Sequence, residues 1–110
     1  VLAASEQREV RSVTAKHVAW FSFKDGVSED RIGEHMRAVR TLVDVVPVVS
    51  AIDCEKSYTD RAGGLTHCII VTLPDRASLP LYLEHPMHVP IAEALVSDIA
   101  ELRVMDLDLG

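Results

Sequence analysis

The stretch Tyr82-Leu83-Glu84-His85-Pro86-Met87-His88 sets a phenol and two imidazoles around one proline. A neutral imidazole accepts a proton near pH 7, and a phenol donates a hydrogen bond to an oxygen that is gaining negative charge. With His88 as base and Tyr82 as donor, the pair suits removal of a proton alpha to a carbonyl. Aldol closure and isomerisation both proceed this way, and neither needs a metal or an organic cofactor. Three more imidazoles stand elsewhere in the chain. His17 alternates with Ala19 and Phe21, and His67 with Ile69 and Val71, so both rings point toward an apolar interior, where lost hydration favours the neutral form. His35 lies at the edge of a helical apolar stripe. Tyr82 and His88 are therefore the candidate catalytic pair, and His17, His67, His35, Phe21 and Ile69 are candidate ligand-binding residues. His85 reads as exposed or structural. On the residues alone, a packing or ligand-binding role for these side chains outweighs catalysis.

Other chemistries find less support. Zinc needs about four ligands, and no H-x-H or H-x-x-x-H spacing occurs, so no metal is expected. Asp60-Arg61-Ala62-Gly63-Gly64 is glycine-rich but lies between two strands, which makes it a hairpin connection before a phosphate cradle. Ser57 and Ser78 lack a nucleophile-elbow context. A net charge of −6 with no long basic cluster argues against nucleic acid and anionic membrane as partners. No apolar run approaches the roughly 20 residues that cross a bilayer, and the default location is the cytoplasm. Cys54 and Cys68 are expected as reduced thiols. A hairpin centred near Arg61 would set them nearly opposite one another, which leaves a disulfide conceivable.

Positioning these side chains is the task of a single 110-residue domain with 48% hydrophobic residues and few aromatics, a composition that suits a sheet packed on helices. Residues 1 to 14 have no clean period and read as an arm or leader, with the domain over 15 to 110. Ala15 to Lys24 alternates as a strand. Ser28 followed by Glu29 and Asp30 caps a helix, expected to run to about Val46 before Pro47. Val48 to Lys56 and Leu65 to Leu73 read as strands. Two helical segments separated at Pro86 follow, the second over roughly Met87 to Ile99. The end of the chain alternates again, with Leu102 and Val104 on one face and Met105, Leu107 and Leu109 on the other.

The order β-α-β-β-α-β is that of an α+β, ferredoxin-like fold, a four-stranded antiparallel sheet with helices on one face. Its other face would present Val18, Trp20, Cys68, Ile70, Met105 and Leu107. That patch is too apolar to leave in water, so a two-fold homodimer through the open sheet face is expected.

Three segments, Ala15 through Ser28, Leu65-Thr66-His67-Cys68-Ile69-Ile70-Val71-Thr72 and Tyr82 through His88, resemble the signature regions of the stress-responsive dimeric α/β-barrel (Dabb) proteins. The closing Val104-Met105-Asp106 fits as well, and the resemblance spans about residues 15 to 109. It implies a homodimeric α/β barrel with a pocket between each sheet and its own helices, and it does not imply one function. Many members are uncharacterised, whereas a plant branch closes linear polyketides by aldol condensation. In that branch the working pair resembles Tyr82 and His88, with supporting histidines at His17 and His67. The aromatic residues that shape the cyclase pocket are replaced here by His35, Met36 and Val39, which argues for a different substrate.

The leading functional expectation is a cofactor-free homodimer that binds a small apolar or aromatic molecule between sheet and helices. The alternative is a polyketide-cyclase-like enzyme using His88 and Tyr82. A third reading, a cofactor-independent oxygenase-like dimer, has no residue that singles it out.

Overall fold

The computed structural model describes residues 14–109. Four strands and four helices follow in the order β1 (Thr14–Phe23), α1 (Glu29–Arg40), α2 (Leu42–Val45), β2 (Ala51–Lys56), β3 (His67–Leu73), α3 (Ser78–Leu83), α4 (His88–Asp98) and β4 (Ile99–Leu109). The sheet order is β2-β3-β1-β4, with every neighbouring pair antiparallel. This is the ferredoxin-like arrangement expected from the sequence. Strand β1 is central and carries His17, while β2 and β4 form the two edges. The arm assigned to residues 1 to 14 lies outside the described residues, except for Thr14, which opens β1 opposite Leu109.

Helix α1 begins as its sequence dictates. The Ser28 hydroxyl accepts from the Arg31 amide at 3.1 Å, Glu29 and Asp30 occupy the first turn, and Arg37 and Arg40 the last, all favourable to the helix dipole. The helix does not continue to Val46. It stops at Thr41, whose amide donates to Arg37 O at 3.2 Å and whose hydroxyl donates to Ala38 O at 2.6 Å. Such a side-chain bond back into the preceding turn competes with helix propagation, and the chain restarts as the short α2. The strands expected from Val48 and Leu65 likewise begin later, at Ala51 and His67.

The core lies between the sheet and the helices. Phe21, Leu42, Val46, Val71, Leu73 and Cys54 are its most deeply buried side chains. Residues that alternate with them face the other way. Val18, Trp20, Cys68 and Ile70 are half-buried on the open face, with Met105 and Leu107 exposed. The two cysteines lie on opposite faces. In the β2–β3 register Cys54 sits across from Ile69, and Cys68 across from Glu55; because successive side chains alternate, the thiols point away from each other. The conceivable disulfide is therefore ruled out by register, and both cysteines are free.

The loop between β2 and β3 is a hairpin connection, as expected. Gly63 and Gly64 take φ of 65° and 91°, a left-handed backbone that other residues adopt at a cost. No helix among the described residues is long and apolar enough to cross a membrane.

Candidate functional site

Helices α3 and α4 are separated by a short turn that includes Pro86. Asp75 starts the first piece by accepting from the Ser78 amide at 3.0 Å and hydroxyl at 2.9 Å. The turn around Pro86 is pinned by His85, whose Nδ1 accepts from the Met87 amide at 3.1 Å. His85 is thus structural. The break brings Tyr82, at the end of α3, against His88, at the start of α4, with ring centroids 4.4 Å apart and the planes inclined by 53°.

These rings form part of the wall of a cavity of about 370 Å³ between the sheet and α3–α4. His17, Ala19 and Phe21 of β1 line it, with Ile69 of β3, Leu95 of α4 and Val104 of β4 among the others. Its lining is mainly aliphatic, and its volume falls in the usual range for small-molecule sites. Leu83, Val96, Leu102 and Val104 also reach solvent, which puts the mouth of the cavity between α4 and β4.

Electrostatics inside follow from burial. Loss of hydration pushes the Tyr82 hydroxyl up to about 12, so it stays a neutral O–H donor. No hydrogen bond occupies it among the described residues. Burial also lowers the His88 pKa, more than its bond to Leu83 O raises it, and the charges of His17 and His85 lower it further. His88 Nδ1 donates to Leu83 O at 2.9 Å. In the neutral ring this leaves Nε2 with a free lone pair, the state a general base requires.

His17 makes a second such arrangement. Its ring lies 6.0 Å from that of Tyr82, and its Nδ1 donates to Asp106 Oδ1 at 2.6 Å, again leaving Nε2 as the acceptor of the neutral ring. Asp106 also lines the cavity. It had no assigned role in the sequence. The available signal was its place on β4 in register with Leu102 and Val104, at the end of an otherwise apolar row.

Of the residues singled out from sequence, His17, Phe21, Ile69, Tyr82 and His88 come together at this cavity, and His67 and His35 do not. His67 pairs with Phe21, and His17 with Val71. At about 3.3 Å per residue, four positions along β3 separate the two histidines by about 13 Å. His67 instead packs against Phe23 at 5.1 Å and has its Nδ1 2.8 Å from Thr66 Oγ1; burial, then the charge of Lys56, lowers its pKa. His35, buried in α1, stacks on Phe23 and donates from Nε2 to Asp98 Oδ2 at 2.6 Å. Asp98 also accepts from Arg31 at 2.9 Å, and these bonds, His35 first, hold its carboxyl below the usual range. This cluster ties α1 to the end of α4. No group of three or more metal-ligating side chains occurs among the described residues.

Comparison with known proteins agrees with this architecture. A family model described as the stress responsive A/B barrel domain matches residues 15–109. The stress-response A/B barrel domain-containing protein HS1 of Arabidopsis thaliana is 31% identical over 93 residues, covering 83% of this chain and 85% of that one. Olivetolic acid cyclase of Cannabis sativa is 26% identical over 96 residues, covering 86% and 95%. Among solved structures, hydroxynitrile lyase from Passiflora edulis superposes with a TM-score of 0.84 at 16% identity, covering 90% and 95%, a likeness of fold. A protein of unknown function from Thermobifida fusca, described as dimeric and ferredoxin-like, has a TM-score of 0.78 at 18% identity over 90% and 93%.

Proposed function

The chain belongs to the stress-responsive A/B barrel domain (Dabb) family, and on that premise we propose that its cavity binds a small, largely apolar carbonyl compound and moves a proton on it. One observation carries this reading: Tyr82 and His88 meet at 4.4 Å on the wall of an apolar cavity, with His88 Nδ1 already committed to Leu83 O. The free Nε2 takes the proton alpha to the carbonyl. The C–H electron pair becomes the enolate, and the Tyr82 hydroxyl, held neutral by burial, donates to the enolate oxygen. Donors aimed at developing charge in a water-poor site are worth about 10²–10³ in rate. The relative named as a cyclase supports an enzymatic use of the fold.

The same reading includes a homodimer through the open sheet face. Val18, Trp20, Ile70, Met105 and Leu107 make a patch that a second copy would cover, and solved neighbours of this fold are described as dimeric.

The test uses 2-heptanone in D2O, followed by proton NMR. The protein is expected to accelerate exchange of the alpha hydrogens, with His88→Ala falling to the buffer rate while keeping its circular dichroism. A wild-type protein that leaves exchange at the buffer rate would sink the catalytic reading. Absence of chemical-shift changes around Tyr82 on titration would sink binding as well.

A further inference from the structure

His17 and Asp106 form a cross-strand pair on the wall of the cavity. The two residues face each other in the β1–β4 register and bond at 2.6 Å. His17 is mostly buried, with 14% of its side chain exposed, whereas Asp106 is 47% exposed. Asp106 lines the inner cavity beside His17, Tyr82 and His88. It also lines a separate depression of about 360 Å³ further along the same face of the sheet, with Ala15, Leu73, Arg76, Leu79 and Asp108. Arg76 Nε donates to Asp108 Oδ2 at that outer rim at 2.5 Å, and among the described residues Arg76 makes no bond to Asp106. Ring proximity therefore runs from His88 through Tyr82 and His17 to a carboxylate that touches water.

We propose that the His17–Asp106 pair is a proton conduit between the cavity and bulk water, the route by which protons from the reaction proposed above are exchanged with solvent. The inference rests on that reading for its purpose, though not for its geometry. A proton arriving at His17 Nε2 forms an N–H bond while the Nδ1–H bond breaks toward Asp106 Oδ1. Asp106 becomes briefly a carboxylic acid, and its O–H bond then breaks to water in the outer depression. One proton enters at Nε2 and one leaves from Nδ1, with the ring double bond shifting between the two nitrogens; the starting tautomer is restored when a proton from water returns through Asp106 to Nδ1 and the Nε2 proton passes back into the cavity. The imidazole suits this task because it accepts at one nitrogen while donating from the other. A carboxylate placed only to steady the ring would need no second opening.

Two measurements separate this proposal from the reaction it serves. The first needs no substrate: water exchange of the His17 Nδ1 proton is followed by NMR in uniformly ¹⁵N-histidine-labelled protein. Asp106→Asn, which keeps an acceptor oxygen but is a far weaker base, should slow that exchange at least tenfold, and Asp106→Glu should restore it. An unchanged rate in Asp106→Asn would overturn the conduit, whatever 2-heptanone does. The second uses 2-heptanone in D2O. Asp106→Asn should incorporate deuterium at least tenfold more slowly, a loss that exceeds any change in its affinity for the ketone, because the proton held by His88 returns to the carbon it left. Formate added to Asp106→Gly should recover part of the loss. Deuterium incorporation at the wild-type rate, or a loss matched by weaker binding and not rescued by formate, would assign Asp106 a structural role. Failure of the wild-type protein to exchange the ketone would remove the proposed reaction and leave the first measurement to decide the conduit.

Discussion

Tyr82→Phe separates packing from chemistry at this site because it removes one oxygen and little else. Tyr82 is only 3% exposed, and its ring packs on His88 at 4.4 Å and near His17 at 6.0 Å; phenylalanine retains both contacts. No hydrogen bond to the hydroxyl exists among the described residues, so the usual net loss of about 0.5–1.5 kcal/mol per broken bond does not apply. The expected stability change is within about 0.5 kcal/mol, or roughly 2–4 °C in Tm for a domain of this size. Tyr82→Ala, which empties the ring's volume, should cost about 3–5 kcal/mol by analogy with other aromatic truncations. Ketone exchange behaves in the opposite way. Loss of one donor to a developing oxyanion is worth about 2.7–4 kcal/mol, a fall of about 10²–10³ in rate. The assay pairs urea denaturation with deuterium incorporation into 2-heptanone. Two outcomes would refute the reasoning: exchange within threefold of wild type, which removes the donor role, or destabilisation above about 1.5 kcal/mol, which would reveal a partner for the hydroxyl.

Further consequences are open to measurement. Burial lowers the pKa of both His88 and His67 below 6.5, so the unfolded chain binds more protons in acid. Their contribution is complete above about pH 6.5 and is lost as pH falls through the folded values; urea midpoints should drop between pH 7.5 and 5, and equal midpoints in a variant-corrected comparison with His67→Gln and His88→Gln would count against it. Leu42→Ala, at a fully buried position, should cost about 2–5 kcal/mol in chemical denaturation, and a cost below 1 kcal/mol would contradict the packing of α2 on the sheet. Trp20→Glu or Met105→Glu should yield a monomer by light scattering, whereas a persistent dimer would place the interface elsewhere. Mild oxidation should form no Cys54–Cys68 bond within one chain, as intact mass would register; burial raises Cys54 to about 11, which further disfavours its thiolate.

Residue alternation proved informative about faces and silent about positions along them. It assigned His17, Phe21, His67 and Ile69 correctly to the helix side of the sheet, since a strand's period of two needs no tertiary information. It could not tell that His67 lies four positions along the strand from the partner of His17, because that separation depends on the β1–β3 register. The His17–Asp106 bond was hidden for the same reason, being a product of β1–β4 pairing across 89 residues. Ser28 announced the start of α1 through its own chemistry, whereas the stop at Thr41 interrupted an apolar stripe that continued unbroken into α2. The Pro86 break was legible. That it would set Tyr82 against His88 was a matter of three-dimensional angle.

Strand β4 has a consequence for how the protein must be handled. It is an edge strand of 11 residues, and its outer rim offers unsatisfied backbone groups to any chain that drifts alongside. Charges at Glu101, Arg103, Asp106 and Asp108 are spaced along it and act as electrostatic guards against such recruitment. High salt screens these charges and weakens the guard, which leaves a concentrated stock open to pairing along this rim. Neutral buffer of modest ionic strength keeps that repulsion in force.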